Sequence, residues 1–244
     1  GQAHRSPQPR GDRRSAERGK IRESEILEHC AVEEVESMTV DENLTELSEL
    51  QMDVLKEIGN VGAGNSATAL SRLIQRRIEM NVPHVALVPI EDVPEFVGGP
   101  ELVVVGIFLR VYGKAPSNIL FLIPRESAFA LVDTLLGRER GETDELDAMD
   151  ESALMEIGNI LAGSYLNAFY TFTGMSMLPS IPALAVDMAG AILNVVLVQL
   201  GEMGDHALLI ETNFVAEDRS INGHFFLVPD PGSLSSIMNA VGVG

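Results

Sequence analysis

Two sets of polar residues carry the kind of spacing that chemistry needs. Asp53, Glu57 and Asn60 stand at i, i+4 and i+7, and Ser152, Glu156 and Asn159 repeat them 99 residues later. On a helix of 3.6 residues per turn the members of each set share one stripe. The asparagine is the informative member. Asn is a mediocre helix former, and its amide offers one acceptor and two donors at a fixed distance. It is suited to hold a water or a phosphate oxygen, not to take a proton. One such stripe alone reads as an ordinary solvated face. Two in register point to a duplicated site, even though gene duplication by itself preserves residues for a time.

The elements that must position these stripes are also duplicated. Leu55-Lys56-Glu57-Ile58-Gly59-Asn60 returns as Leu154-Met155-Glu156-Ile157-Gly158-Asn159, Ala63-Gly64 as Ala162-Gly163, and Pro83 as Pro182. From residue 43 the pattern is helical, with Leu47, Leu50, Val54, Ile58 and Val61 predicting one buried face turned away from the polar stripe. Gly59, Gly62 and Gly64 suggest either a tight helix–helix approach or a break near Asn60. Residues 67–77 continue as helix. Residues 82–89 read as a strand that Pro83 starts, and residues 102–111 and 117–123 as a hairpin turning at residues 112–116. Residues 125–136 form an amphipathic helix closed by Gly137.

Residues 138–147 are charged and polar and read as the linker between halves. The order then repeats. Residues 150–172 are helical, Pro182 opens a strand to Val186, residues 207–215 and 224–228 pair around a turn at 217–223, and residues 231–241 form a closing helix. Phe121-Leu122-Ile123-Pro124 returns as Phe226-Leu227-Val228-Pro229 at an offset of 105, so the second half has a net insertion of six residues, placed around 187–204. Hairpins with few crossovers predict an α+β fold. Two pseudo-symmetric halves, 43–137 and 148–244, would share a central, mostly antiparallel sheet flanked by long helices in a single domain.

Charge narrows the partners. The net charge is −19, yet residues 1–20 carry six Lys/Arg against two Asp/Glu, which leaves −23 on the rest. Such a body repels nucleic acid. It suits a basic protein partner, and equally a halophile's solvation strategy. Residues 1–42 lack strong hydrophobic periodicity and read as a disordered or tag-derived extension. Cys30 is the only cysteine, which fits a reducing cytoplasm. No stretch approaches the ~18–20 apolar residues of a membrane span. The histidines are scattered without ligand spacing and no Gly-x-Ser-x-Gly elbow occurs, so neither a metal site nor a covalent nucleophile is expected. Gly62-Ala63-Gly64 superficially resembles a nucleotide loop, but it follows no strand and precedes no Gly-Lys-Ser/Thr.

The doubled set resembles the CheC/CheX/FliY family of chemotaxis phosphatases, and within it the CheC type with two motifs. The family signature is Asp/Ser-x3-Glu-x2-Asn-x22-Pro. Asp53, Glu57, Asn60 and Pro83 fit it without a gap, and so do Ser152, Glu156, Asn159 and Pro182. The resemblance extends over residues 43–242. CheX resembles a one-motif version that dimerises, and FliM-like relatives share the fold without the signature.

The resemblance implies hydrolysis of the aspartyl phosphate on the response regulator CheY. The regulator would bring its own Mg²⁺ and Lys, with no cofactor or metal in this chain. Asn60 and Asn159 would orient the attacking water, and Glu57 and Glu156 would anchor the docking. Asp53, Ser152, Pro83 and Pro182 would complete the motif. The region 187–197 resembles a segment that contacts the deamidase CheD. The alternative is a non-catalytic chemotaxis or flagellar-switch adaptor that binds CheY or CheD.

Overall fold

Helix α1 (Glu49–Ile74) starts at a reciprocal cap. Ser48 Oγ accepts from the Gln51 amide at 3.2 Å and Gln51 Oε1 from the Ser48 amide at 2.8 Å, satisfying two N–H groups that a helix start leaves open. It ends where Gln75 turns left-handed, at φ 54°. The computed structural model describes residues 48–200, 206–216 and 219–241. The extension expected over residues 1–42 and Leu47 lie outside them. Helix α4 (Ala148–Thr173) is also 26 residues long, with Asp147 as its cap and Gly174 closing it at φ 66°.

The helix through Asn60 is unbroken; its glycines serve approach, not interruption. A Cβ on Gly62 would stand 2.4 Å from Tyr165 Cδ1, so the Tyr165 ring of α4 fills the notch that Gly62 leaves. Tyr165 also pairs through its hydroxyl with Thr212 Oγ1 at 3.0 Å and lies 4.4 Å, centroid to centroid, from Phe225. Burial pushes its phenol up to about 12. One side chain thus ties both long helices to the sheet.

The buried face of α1 is Leu55, Ile58, Gly59, Gly62, Ala63, Ser66 and Leu70. Of the expected apolar line, Ile58 is buried, Val54 and Val61 are half-buried, and Leu50 is 60% exposed. The expectation fails at Leu50 because the buried face centres on Leu55, Ile58 and Gly62, about 80–140° around the helix from it.

Eight strands form one sheet in which every pairing is antiparallel. Its centre runs β7 (His206–Ala216), β8 (Arg219–Pro229), β4 (Ser117–Pro124), β3 (Val103–Gly113). Two short strands cover each flank. β1 (Ile78–Asn81) and β2 (Val85–Pro89) pair with β7, and β5 (Met177–Pro179) and β6 (Ala183–Met188) pair with β3. Pro83 and Pro182 fall in the two gaps. The strand expected over 82–89 therefore begins only at Val85, and β1 before the break was not expected. Proline has no N–H for a ladder, which suits it to such a break.

Side chains alternate along β4. Ile119, Phe121 and Ile123 join the core under α1, α4, α3 (Arg125–Leu136) and α6 (Ser233–Ala240). Leu120 and Leu122 join a second core with Val93 of α2 (Val93–Phe96) and Ile192 of α5 (Ala189–Leu200). The fold is α+β around an antiparallel sheet, as expected; both long helices lie on one face, and the shorter α2 and α5 lie on the other.

Three local expectations need correction. β8 begins at Arg219, so residues 219–223 belong to a strand and not to the turn. Gly223 sits opposite Thr212 because Phe121 takes its side-chain space; a Cβ there would be 2.7 Å from Phe121 Cζ. β5 was not anticipated. The linker 138–147 is tied down: Asp133 accepts from Gly141 N and from Thr143 N and Oγ1, and Arg138 pairs with buried Asp150 at 2.7 Å.

Candidate functional site

Asp53, Glu57 and Asn60 are exposed along α1, and Ser152, Glu156 and Asn159 are exposed along α4. Each set lies opposite the face that packs on the other helix and the sheet. The stripe therefore adds nothing to the core while the core holds it rigid. Asn159 Nδ2 lies 3.5 Å from Glu156 Oε2, so the two members of the second copy stand side by side, one turn apart. Two ridges result, each presenting a carboxylate and an amide to solvent from a capped helix.

Pro83 belongs to the first ridge's support. A Cβ on Gly59 would stand 3.3 Å from Val82 Cγ1, so the gap between β1 and β2 runs beneath the turn carrying Glu57 and Asn60. Pro83 follows Val82 directly and is exposed. Gly158 instead lies over Ile107 of β3, with a Cβ distance of 2.7 Å, and Pro182 is half-buried just before β6. Pro182 thus stands at a strand start, as the sequence suggested, whereas Pro83 lies in the gap two residues before β2.

The Gly62-Ala63-Gly64 stretch is not a phosphate cradle. It lies inside α1, and Gly62 and Ala63 are buried. Gly64 departs from the close-packing role expected of these glycines. It is exposed, and a Cβ on it would meet nothing within 4 Å; Gly163 in the second copy is the same. Among the described residues no group of three or more His, Cys, Asp or Glu is arranged to hold a metal ion. No helix among them is long and apolar enough to cross a membrane. The ridges present carboxylates, amides and the Ser152 hydroxyl. They can position a water and hold a cationic partner group, and they complete a reaction only against an electrophile supplied from outside.

This combination, an antiparallel sheet with two exposed Glu/Asn ridges, has relatives. The CheC-like family matches over residues 50–87 and 149–185, the two segments that carry the ridges and their prolines. The CheY-P phosphatase CheC of Bacillus subtilis (strain 168) is 36% identical over 200 residues, covering 80% of this chain and 96% of that protein. The flagellar motor switch phosphatase FliY of the same organism is 28% identical over 138 residues, covering 54% of this chain and 36% of that protein. The crystal structure of Thermotoga maritima FliY superposes with a TM-score of 0.67 at 20% identity, covering 80% of this chain and 98% of that one, which shows the shared fold. The chain belongs to the CheC-like family.

Proposed function

We propose that this chain is a phosphatase that hydrolyses the aspartyl phosphate of the response regulator CheY. The observation that carries the reading is the doubled, exposed Glu/Asn stripe, fixed on helices that have no packing use for it. The name borne by the 36% identical Bacillus subtilis relative supports it.

An acyl phosphate is already activated, so the missing element is an aligned water. In this reading Asn60 or Asn159 enters beside the phosphoryl group, and its amide holds a water in line with the phosphorus. The water oxygen bonds to phosphorus, the P–O bond to the aspartyl carboxylate breaks, and the proton leaves with inorganic phosphate. Glu57 or Glu156 pairs with a lysine beside the phosphate and sets the docking register. Mg²⁺ comes with the regulator, and no step calls on a metal held by this chain. Asp53, Ser152, Pro83 and Pro182 shape and flank the two ridges. A CheY substrate places the activity in the cytoplasm.

We assign residues 187–197, most of them on α5 (Ala189–Leu200), to a contact with the deamidase CheD, because the net insertion of six residues in the second half falls in the stretch 187–204 that contains them. The test of the catalytic reading is the decay of phosphorylated CheY with Asn60→Ala, Asn159→Ala and the double variant. Loss of catalysis with binding retained supports it. Full activity in the double variant overturns it in favour of an adaptor.

A further inference from the structure

The stripes extend beyond the signature at both ends, in the same way in both copies. At 100° per residue, Leu50, Asp53, Glu57, Asn60 and Gly64 fall within an arc of about 80° on α1, and Met149, Ser152, Glu156, Asn159 and Gly163 repeat that arc on α4. Leu50 is 60% exposed and Met149 65%. Each is the second residue of its helix. The loop that leads into α4 is pinned by Asp133 and Arg138, yet it leaves Met149 open. A large apolar side chain is thus offered to solvent at one end of each polar ridge. The other end offers the reverse, a bare turn.

Other glycines of these helices have an internal reason. A Cβ would strike Tyr165 at Gly62 and Ile107 at Gly158, and would press on Val82 at Gly59. Gly64 and Gly163 have none, since a Cβ there meets nothing within 4 Å. Glycine in an exposed helix interior lowers stability relative to alanine. Both copies nevertheless keep it one turn beyond the asparagine.

An exposed anchor and an exposed gap, bracketing the same residue pair twice at one offset, are the outline of something that fits against the helix. Resting on the phosphatase reading, we infer that Leu50 with Gly64, and Met149 with Gly163, bound the docking footprint of the phosphorylated receiver domain on each helix. The leucine or methionine seats in an apolar depression on the receiver. The receiver main chain crosses close over the bare turn, which brings its phosphoryl group down to the asparagine between them. The footprint spans about 21 Å of helix axis. It is continuous with the Glu/Asn pair, which is why the occupant is the phosphoprotein and not a second copy of this chain.

The experiment measures steady-state dephosphorylation of the receiver by full-length variants, each site read in a background where the other asparagine is alanine. Leu50→Ser and Met149→Ser raise KM roughly tenfold with kcat retained. Gly64→Ala and Gly163→Ala lower kcat/KM about fivefold, and Gly64→Leu and Gly163→Leu lower it further, because added atoms hold the partner away. The same alanine variants raise Tm by roughly 2–4 °C, which a structural role for the glycines would not allow.

Unchanged kcat/KM in the four alanine and serine substitutions combined overturns the inference. A fall in Tm for the glycine-to-alanine variants does so too. Conversion of an oligomer to monomers by Leu50→Ser and Met149→Ser with KM unchanged assigns the patch to self-association and equally overturns it. If those four substitutions are silent while Asn60→Ala/Asn159→Ala is inactive, the footprint fails and the phosphatase reading stands. If the asparagine variant is also fully active, both fall.

Discussion

Helices α1 and α4 present one stripe from unlike surroundings. Glu57/Asn60 and Glu156/Asn159 match, but Asp53 becomes Ser152 and Lys56 becomes Met155. Beyond the asparagine, α1 ends beside a groove of about 380 Å³ lined by Ala67, Thr68, Ser71, Arg72 and Ile78. The corresponding groove of α4, about 360 Å³, is lined by Leu166, Asn167, Tyr170, Met177, Leu178 and Pro179 among others. The first carries a cation, Arg72; the second carries no charge and an aromatic ring, Tyr170. The helix starts differ too, with a neutral Ser48/Gln51 cap on α1 and an Asp147/Asp150 cap on α4. What stays constant is the pair that would touch the phosphate; what varies is its setting. Reaction geometry and partner affinity can therefore diverge between two copies of one site.

The largest effect expected breaks both sites at once. Asn60→Ala/Asn159→Ala lowers the dephosphorylation rate of phosphorylated CheY by roughly a hundredfold or more, since lost positioning has consequences of that order. The two single variants sharpen the comparison, because any inequality in their residual rates measures the difference between the settings. Next in size, Gly62→Ala drives a methyl into the Tyr165 ring and destabilises the fold by about 1–3 kcal/mol, read as a lower denaturation midpoint. At the symmetric positions the large and small partners are exchanged, with Leu161 where α1 has Gly62 and Ser66 where α4 has Tyr165. The helix–helix notch filled by a ring is therefore peculiar to Gly62; the second half's tight glycine on α4, Gly158, packs on Ile107 of the sheet instead.

A smaller effect comes from exchanging the unmatched motif residue. Asp53→Ser and Ser152→Asp shift the relative KM of the two sites by only about twofold to fivefold at low salt, because exposed charges are screened. Competitive dephosphorylation assays across ionic strength would detect it.

The smallest is a pH effect confined to one helix. The Asp147 carboxyl is held below its ordinary value of 3.8, chiefly by the Asp150 amide and further by the Met149 amide and the Arg138 guanidinium, against a partial loss of water. A depressed carboxylate contributes stability that is complete above its unfolded value and is lost as pH falls through the folded one. Below about pH 4, hydrogen-exchange protection at the start of α4 should decline before that at the start of α1, whose cap carries no charge. Asp147→Asn should remove the difference between the two helix starts.

The repeat was legible because its members are polar and oppose the apolar rhythm of their helices. Both Glu/Asn pairs are exposed where that rhythm put them. Gly137 was legible as the close of α3, since a left-handed residue, here at φ 68°, is where glycine is needed. Other signals were ambiguous in kind. Gly59, Gly62 and Gly64 look alike in a string of letters, yet Val82 and Tyr165 lie against the first two and open solvent against the third. Leu50 fitted the apolar line, but the buried face of α1 centres on Leu55, Ile58 and Gly62. Gly223 looked like a turn because nothing local says that Phe121, 102 residues earlier, needs its side-chain space. The strand breaks at Pro83 and Pro182 depend on long-range pairing with β7 and β3, which local pattern does not encode.

Those breaks have a consequence for the life of the protein among copies of itself. A long open sheet margin invites strand addition, the route to filaments and amyloid. Here the eleven-residue strands β3, β7 and β8 are enclosed, and each margin is divided into pieces of three to six residues on either side of a proline-bearing gap. No foreign strand can zip along either margin without meeting a residue that has no hydrogen to give. Two prolines in a phosphatase signature thereby double as guards of solubility, and replacing them would be felt in the yield of soluble protein even where catalysis survived.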